Sequence, residues 1–79
     1  MEITLEDVRR ILNKGTLRIS DTVTMKQAAQ VLGLHPNTLH AQRAAGNLKT
    51  VKEEGRRFVE VREVIRYAEE SVGKHGRKK

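Results

Sequence analysis

Apolar positions along the chain fall into helical stripes separated by two stretches of weaker alternation. In residues 4–14, Leu5, Val8, Ile11 and Leu12 recur at helical spacing, while Glu6, Arg9, Arg10 and Asn13 face away. Thr4 is a capping residue, Asp7 lies three positions on, and Gly15 supplies a stop. The pattern predicts an accessory helix over 4–14. Its stripe serves either as a flap over the domain core or as a contact for another protein. Residues 16–23 alternate weakly, with Leu17, Ile19 and Val23 against Arg18 and Ser20. That predicts a connector with a short strand.

The clearest pattern spans residues 24–46. Thr24 is a good N-cap, and Gln27 three residues on completes a capping box. Ala28, Ala29, Val31 and Leu32 follow at helical spacing, and Gly33 ends the helix, because the residue just past a helix often needs a positive φ that glycine adopts at little cost. Leu34 and His35 make a turn, with His35 an indifferent cap, and Pro36 opens a second helix at its first position. That helix passes through Leu39 and Ala45 and closes at Gly46. Small residues at Ala28 and Ala29 let the two axes approach, while Leu34 and Leu39 fill the corner. Two short helices joined by a tight turn make a helix-turn-helix.

Residues 47–59 read as a β-hairpin. Thr50 and Val51 on one arm and Phe58 and Val59 on the other favour strand, and Glu53-Glu54-Gly55-Arg56 reads as a four-residue turn with Arg56 and Arg57 at the tip. Residues 61–72 carry Val61, Val64, Ile65, Ala68 and Val72 as one stripe, with Tyr67 at its margin, and predict a closing helix that packs on the core. Residues 73–79 hold two glycines, four basic groups and no apolar side chain, the composition of a flexible tail. The expected architecture is one mostly α-helical domain over 1–72 with a small β-hairpin: a winged helix-turn-helix with an extra N-terminal helix.

Size and composition narrow the picture. With 79 residues and 22 large apolar side chains besides Met1, one small core is feasible. The absence of cysteine excludes a disulfide framework and thiolate metal ligation. The three histidines, His35, His40 and His75, lack the spacing of a helical metal pair, so neither metal nor cofactor is expected. No apolar run approaches the roughly 20 residues a membrane helix needs, and no signal-peptide pattern opens the chain, which leads to the expectation of a soluble intracellular protein with no membrane partner. The acidic residues are scattered over helix faces without a nucleophile–base pairing, so an enzyme is not expected.

Charge divides unevenly. Residues 1–23 are neutral overall, residues 24–59 carry six basic and two acidic groups, residues 60–72 carry two basic and four acidic, and residues 73–79 carry four basic and none acidic. The excess sits on the helix-turn-helix, the hairpin and the tail, where it favours a polyanion through counterion release.

Projecting the second helix at 100° per residue, with Leu39 as the buried direction, puts Asn37, Ala41 and Ala44 within about 40° of the opposite side. His40 falls on the flank, about 100° from Leu39, and Arg43 only about 40° from it, where it reaches round to phosphate. Together with Thr38, these are the candidate contacts of a recognition helix. The alanines let the helix sit deep and touch thymine methyls, Asn37 can pair with adenine, and His40 can donate to a guanine acceptor or a phosphate. Lys49, Lys52, Arg56 and Arg57 are candidate contacts of the wing, with Arg56 and Arg57 aimed at the minor groove or else balancing Glu53 and Glu54. Lys74, Arg77, Lys78 and Lys79 are weaker candidates in the tail.

In order and spacing, Thr24, Ala28, Ala29, Leu32, Gly33, Leu34, Thr38, Leu39, Gly46 and Leu48, followed by Arg56-Arg57-Phe58 and Val64, resemble the small winged-helix DNA binders of the excisionase and MerR-like group. His40 stands where relatives often carry arginine, a departure that weakens guanine readout there. The resemblance implies sequence-specific binding to double-stranded DNA. Excisionases imply a phage or mobile-element factor that binds repeated sites cooperatively, through head-to-tail self-association, and bends DNA so that a separate integrase excises. MerR-like regulators imply transcriptional control, with RNA polymerase as a partner and a long dimerising helix. The chain stops about a dozen residues into its last helix, which favours a small monomeric factor, closer to excisionases or to the short one-domain regulators. A cytoplasmic location, in a bacterial or phage-infected cell, follows from the same resemblance. A more remote alternative is a protein–protein adaptor acting through Leu5, Val8, Ile11 and Leu12.

Overall fold

The computed structural model describes residues 2–73. In chain order it contains α1 (Leu5–Leu12), β1 (Thr22–Thr24), α2 (Met25–Leu32), α3 (Pro36–Ala44), β2 (Val51–Glu53), β3 (Arg56–Glu60) and α4 (Val61–Tyr67), which continues as π-helix over Ala68–Gly73. The three strands form one antiparallel sheet in the order β1-β3-β2. The fold is a winged helix-turn-helix.

The helix ends follow from local chemistry. At α1, Thr4 and Asp7 exchange side-chain-to-backbone bonds of 3.1 and 3.2 Å, and at α2 Thr24 and Gln27 do the same at 3.0 Å each, so two orphan amides are satisfied at each N-terminus. One broad side of α2, Met25, Ala28, Ala29, Val31 and Leu32, is in the core, while Lys26 and Gln30 are exposed. Gly33 has φ 71°, and the amides of Gly33 and Leu34 donate back to the carbonyls of Gln30 and Ala29, which closes α2 with a Schellman motif.

Leu39, Val8, Val59, Val61 and Val64 are the largest fully buried side chains, so α1, α3, β3 and α4 all converge on one core. Tyr67 is buried there too. The α1 stripe is spent on this core: Val8 is fully covered, and Leu5, Ile11 and Leu12 pack partly against it. This packing fits the flap reading, while Leu5, Ile11 and Leu12 each keep part of their surface open.

Five features differ from the sequence expectation. Helix α1 ends at Leu12 and not at 14, because Asn13 takes the left-handed conformation, φ 57°, and its amide and that of Lys14 close the helix on Arg10 and Arg9. Asparagine tolerates that region better than most residues other than glycine, so Gly15 is not needed. The connector alternates less than expected because Arg18–Asp21 is a turn: the Arg18 amide donates to the Asp21 carboxylate at 2.8 Å and the Asp21 amide returns to the Arg18 carbonyl at 3.0 Å. Leu17 and Val23 are buried while Ile19 is 42% exposed.

The wing is a three-stranded sheet and not an isolated hairpin, since β1 pairs with β3 through Val23 and Val59. Its turn is also shorter. Glu53 pairs with Arg56, which leaves a two-residue loop of Glu54 (φ 49°) and Gly55 (φ 79°), two positive φ values in the manner of a type I′ turn. Finally, the closing helix is regular only to Tyr67 before it widens into π-helix. Its first amides are satisfied from outside, Val61 donating to Asp21 and Arg62 to Ile19.

Candidate nucleic-acid interface

Helix α3 begins where chain chemistry requires. His35 is extended, as a residue before proline must be, and its Nδ1 accepts the Asn37 amide at 3.1 Å. An imidazole that accepts through Nδ1 carries its proton on Nε2. His35, read from the sequence as an indifferent cap, is the N-cap of α3. At the other end Gly46 (φ 86°) and Asn47 return their amides to Arg43 and Gln42 at 3.0 Å each, a second Schellman closure.

Between these ends the exposure of α3 follows the helical projection. Leu39 is the residue buried in the core, and Asn37, Thr38, His40, Ala41 and Ala44 are exposed. Arg43 is half-buried, and its Nε is enclosed with no hydrogen-bond partner among the described residues.

The strand register sorts the charges of the wing. Directly paired residues share a face, so Val23, Val59, Arg57 and Lys52 lie on one side of the sheet, and Thr24, Phe58, Val51, Glu53 and Arg56 on the other. Arg56 is thus opposed by Glu53, with no ion pair between them among the described residues. Arg57 is opposed by Lys52 instead. Like charges facing each other across a ladder destabilise it, and among the described residues neither side chain forms an ion pair. Arg57 is also not at the tip: it sits one position inside the turn, half-buried, and donates to the Thr50 hydroxyl at 3.4 Å. Lys49 and Lys52 are exposed. The tail candidates Lys74, Arg77, Lys78 and Lys79 lie outside the described residues.

One charged group sequence reasoning missed is Glu63 on α4. It is 8% exposed, the single buried charged side chain among the described residues. Arg66 donates to both of its oxygens, at 3.0 and 2.6 Å, and the Lys49 amide donates to Oε2 at 3.0 Å. Burial pushes the Glu63 carboxyl upward, but the hydrogen bonds from Arg66 and Lys49 and the charge of Arg66 outweigh it and hold the group below the usual carboxylate range. The same pairing, against the cost of burial, raises Arg66. An opposite-charge pair at i, i+3 was visible in the sequence. Its burial against the start of the wing was not.

The family comparison bears on this geometry. A family model described as a helix-turn-helix domain matches residues 22–72, more than half of the chain. The chain belongs to that family. The matched span contains α2 and α3, the two helices of the helix-turn-helix, and a domain of this kind has DNA as its partner. The matched span begins at β1 and leaves α1 outside it. Comparison with curated proteins gives no significant match, and comparison with solved structures gives none either. Among the described residues no group of side chains could hold a metal ion, and no helix is long and apolar enough to cross a membrane.

Proposed function

We propose that the protein is a sequence-specific double-stranded DNA-binding factor, with α3 in the major groove and the wing on the backbone and minor groove. The observation that carries this is the division of labour on the surface. The outward face of α3 presents short or neutral residues, Asn37, Thr38, Ala41 and Ala44, with His40 on its flank, a surface that fits a groove and meets base edges. The wing presents the opposed cations Lys52 and Arg57, whose mutual repulsion a phosphate would relieve. Arg43, Lys49 and Arg56 add phosphate contacts at the margins, and Lys74, Arg77, Lys78 and Lys79 add charge beyond them.

Within that function the residue resemblance over 24–67 favours an excisionase, a phage or mobile-element factor that binds repeated sites cooperatively through head-to-tail contacts, bends DNA and directs an integrase toward excision. The test is selection of bound duplexes from a random library. Tandem direct repeats occupied cooperatively are the expected result. Inverted repeats at fixed spacing mean a two-fold dimer and a transcriptional regulator of the MerR-like kind. No enriched sequence at low salt overturns specific recognition.

A further inference from the structure

The connection from α3 to the wing is short and is gripped from one side by α4. Between Ala44 and Val51 the chain is closed on α3 by Asn47, whose amide donates to the Gln42 carbonyl and whose side-chain Nδ2 donates to Gln42 Oε1 at 2.9 Å. The Asn47 carbonyl accepts from Arg66 Nη2 at 3.3 Å, and the Lys49 amide donates to Glu63 at 3.0 Å. The two backbone groups flanking buried Leu48 are therefore held by the two halves of one bidentate ion pair. Arg66 is secured in turn by Glu70 at 3.0 Å.

An ion pair with its carboxylate buried is a poor device for stability, because an apolar residue of similar volume at the buried position often does as well. An apolar residue at 63 cannot accept the Lys49 amide, however. We propose that Glu63 and Arg66 are positioning residues that fix the angle at which the wing leaves the recognition helix, so that Arg57 and α3 engage one duplex together. This rests on the DNA-binding reading above.

The test is a double-mutant cycle on a fluorescent duplex of about 20 base pairs, long enough for one helix-turn-helix and its wing. Arg57→Ala removes the wing contact, and Glu63→Ala removes the grip. Each is expected to weaken binding about tenfold, and the double variant is expected to stay within about twofold of the weaker single one, because the two changes remove the same contact. Glu63→Gln keeps an acceptor for the Lys49 amide and is expected to recover part of the loss. Arg66→Ala, at a side chain 40% exposed, repeats the cycle if Glu63→Ala does not fold, with the same non-additivity expected.

Multiplying losses, about a hundredfold in the double variant, overturn the proposal, as does unchanged binding by a folded Glu63→Ala chain. Hydrogen exchange of the Lys49 amide, read without DNA, separates the two levels. Fast exchange in Glu63→Ala with additive binding losses shows a grip that does not act through the wing. A wild-type chain that binds no duplex overturns the DNA-binding reading itself, whatever that amide does.

Discussion

Helix α3 and the wing offer two kinds of surface to a partner, and they are built by different rules. On α3 the outward residues are small or neutral, and one buried side chain, Leu39, fixes which way they face. On the wing the outward residues are mostly charged, with Val51 39% exposed among them, and the pairing of β2 with β3 decides which charges face an opposite charge and which face a like one. A helix face is set by local periodicity, whereas a sheet face is set by register, and a slip of one residue would exchange Arg56 for Arg57. The first surface is suited to discrimination and the second to affinity.

The largest effect is expected at the residue that seats α3. Leu39→Ala removes a side chain that is 0% exposed and should cost about 2–5 kcal/mol of stability, read in a denaturant melt. In a domain this small that loss also abolishes sequence preference. A cost under about 1 kcal/mol would mean that α3 is not held through Leu39.

Asn37→Ala comes next. It should lose about 1–3 kcal/mol of discrimination at one base pair and little elsewhere, read by competition between single-base variants of the selected site. Intact preference at every position would place the reading face of α3 elsewhere.

Arg57→Ala sharpens the contrast because its two effects have opposite sign. It should weaken all duplexes alike, by about tenfold, and reduce the salt slope by about one. It should also stabilise the free protein by about 0.2–1 kcal/mol, since Lys52 loses a like-charged neighbour. A thermal melt that falls would show that Arg57 serves the fold.

The smallest effect concerns acid. The folded-state pKa of Glu63 lies below its ordinary value near 4.5, so the unfolded chain takes up the proton first as the pH falls. The stabilisation is present above that value and is lost below it. Glu63→Gln should flatten that part of the stability profile, measured by denaturant melts across the acid range. An unaltered profile would show that Glu63 is not the group responsible.

Much of this was legible in the sequence where the interaction is local. Thr4 with Asp7, Thr24 with Gln27, and Gly33 announce helix ends through contacts within a few residues, and the exposure along α3 obeys the same period. The misplaced features depend on distant partners or on conformational tolerance. Nothing near Thr22–Thr24 announces that β1 joins the wing through Val59, and three residues are too few for a periodic signal. Asn13 adopts a conformation for which Gly15 was the more obvious candidate. The Glu53–Arg56 pairing shortened the turn and moved Arg57 away from its tip. Glu63 looked like one more solvated charge on a mixed face, because the Lys49 amide that it serves lies on another element.

In the proposed function α3 discriminates while the wing anchors. This division is tested most directly by the affinity ratio between the selected site and a scrambled duplex, measured for wild type, Asn37→Ala and Arg57→Ala at one salt concentration. The account predicts that Asn37→Ala lowers the ratio with scrambled-duplex affinity unchanged, and that Arg57→Ala lowers both affinities with the ratio unchanged. The reverse pattern, or two variants that behave alike, would contradict it.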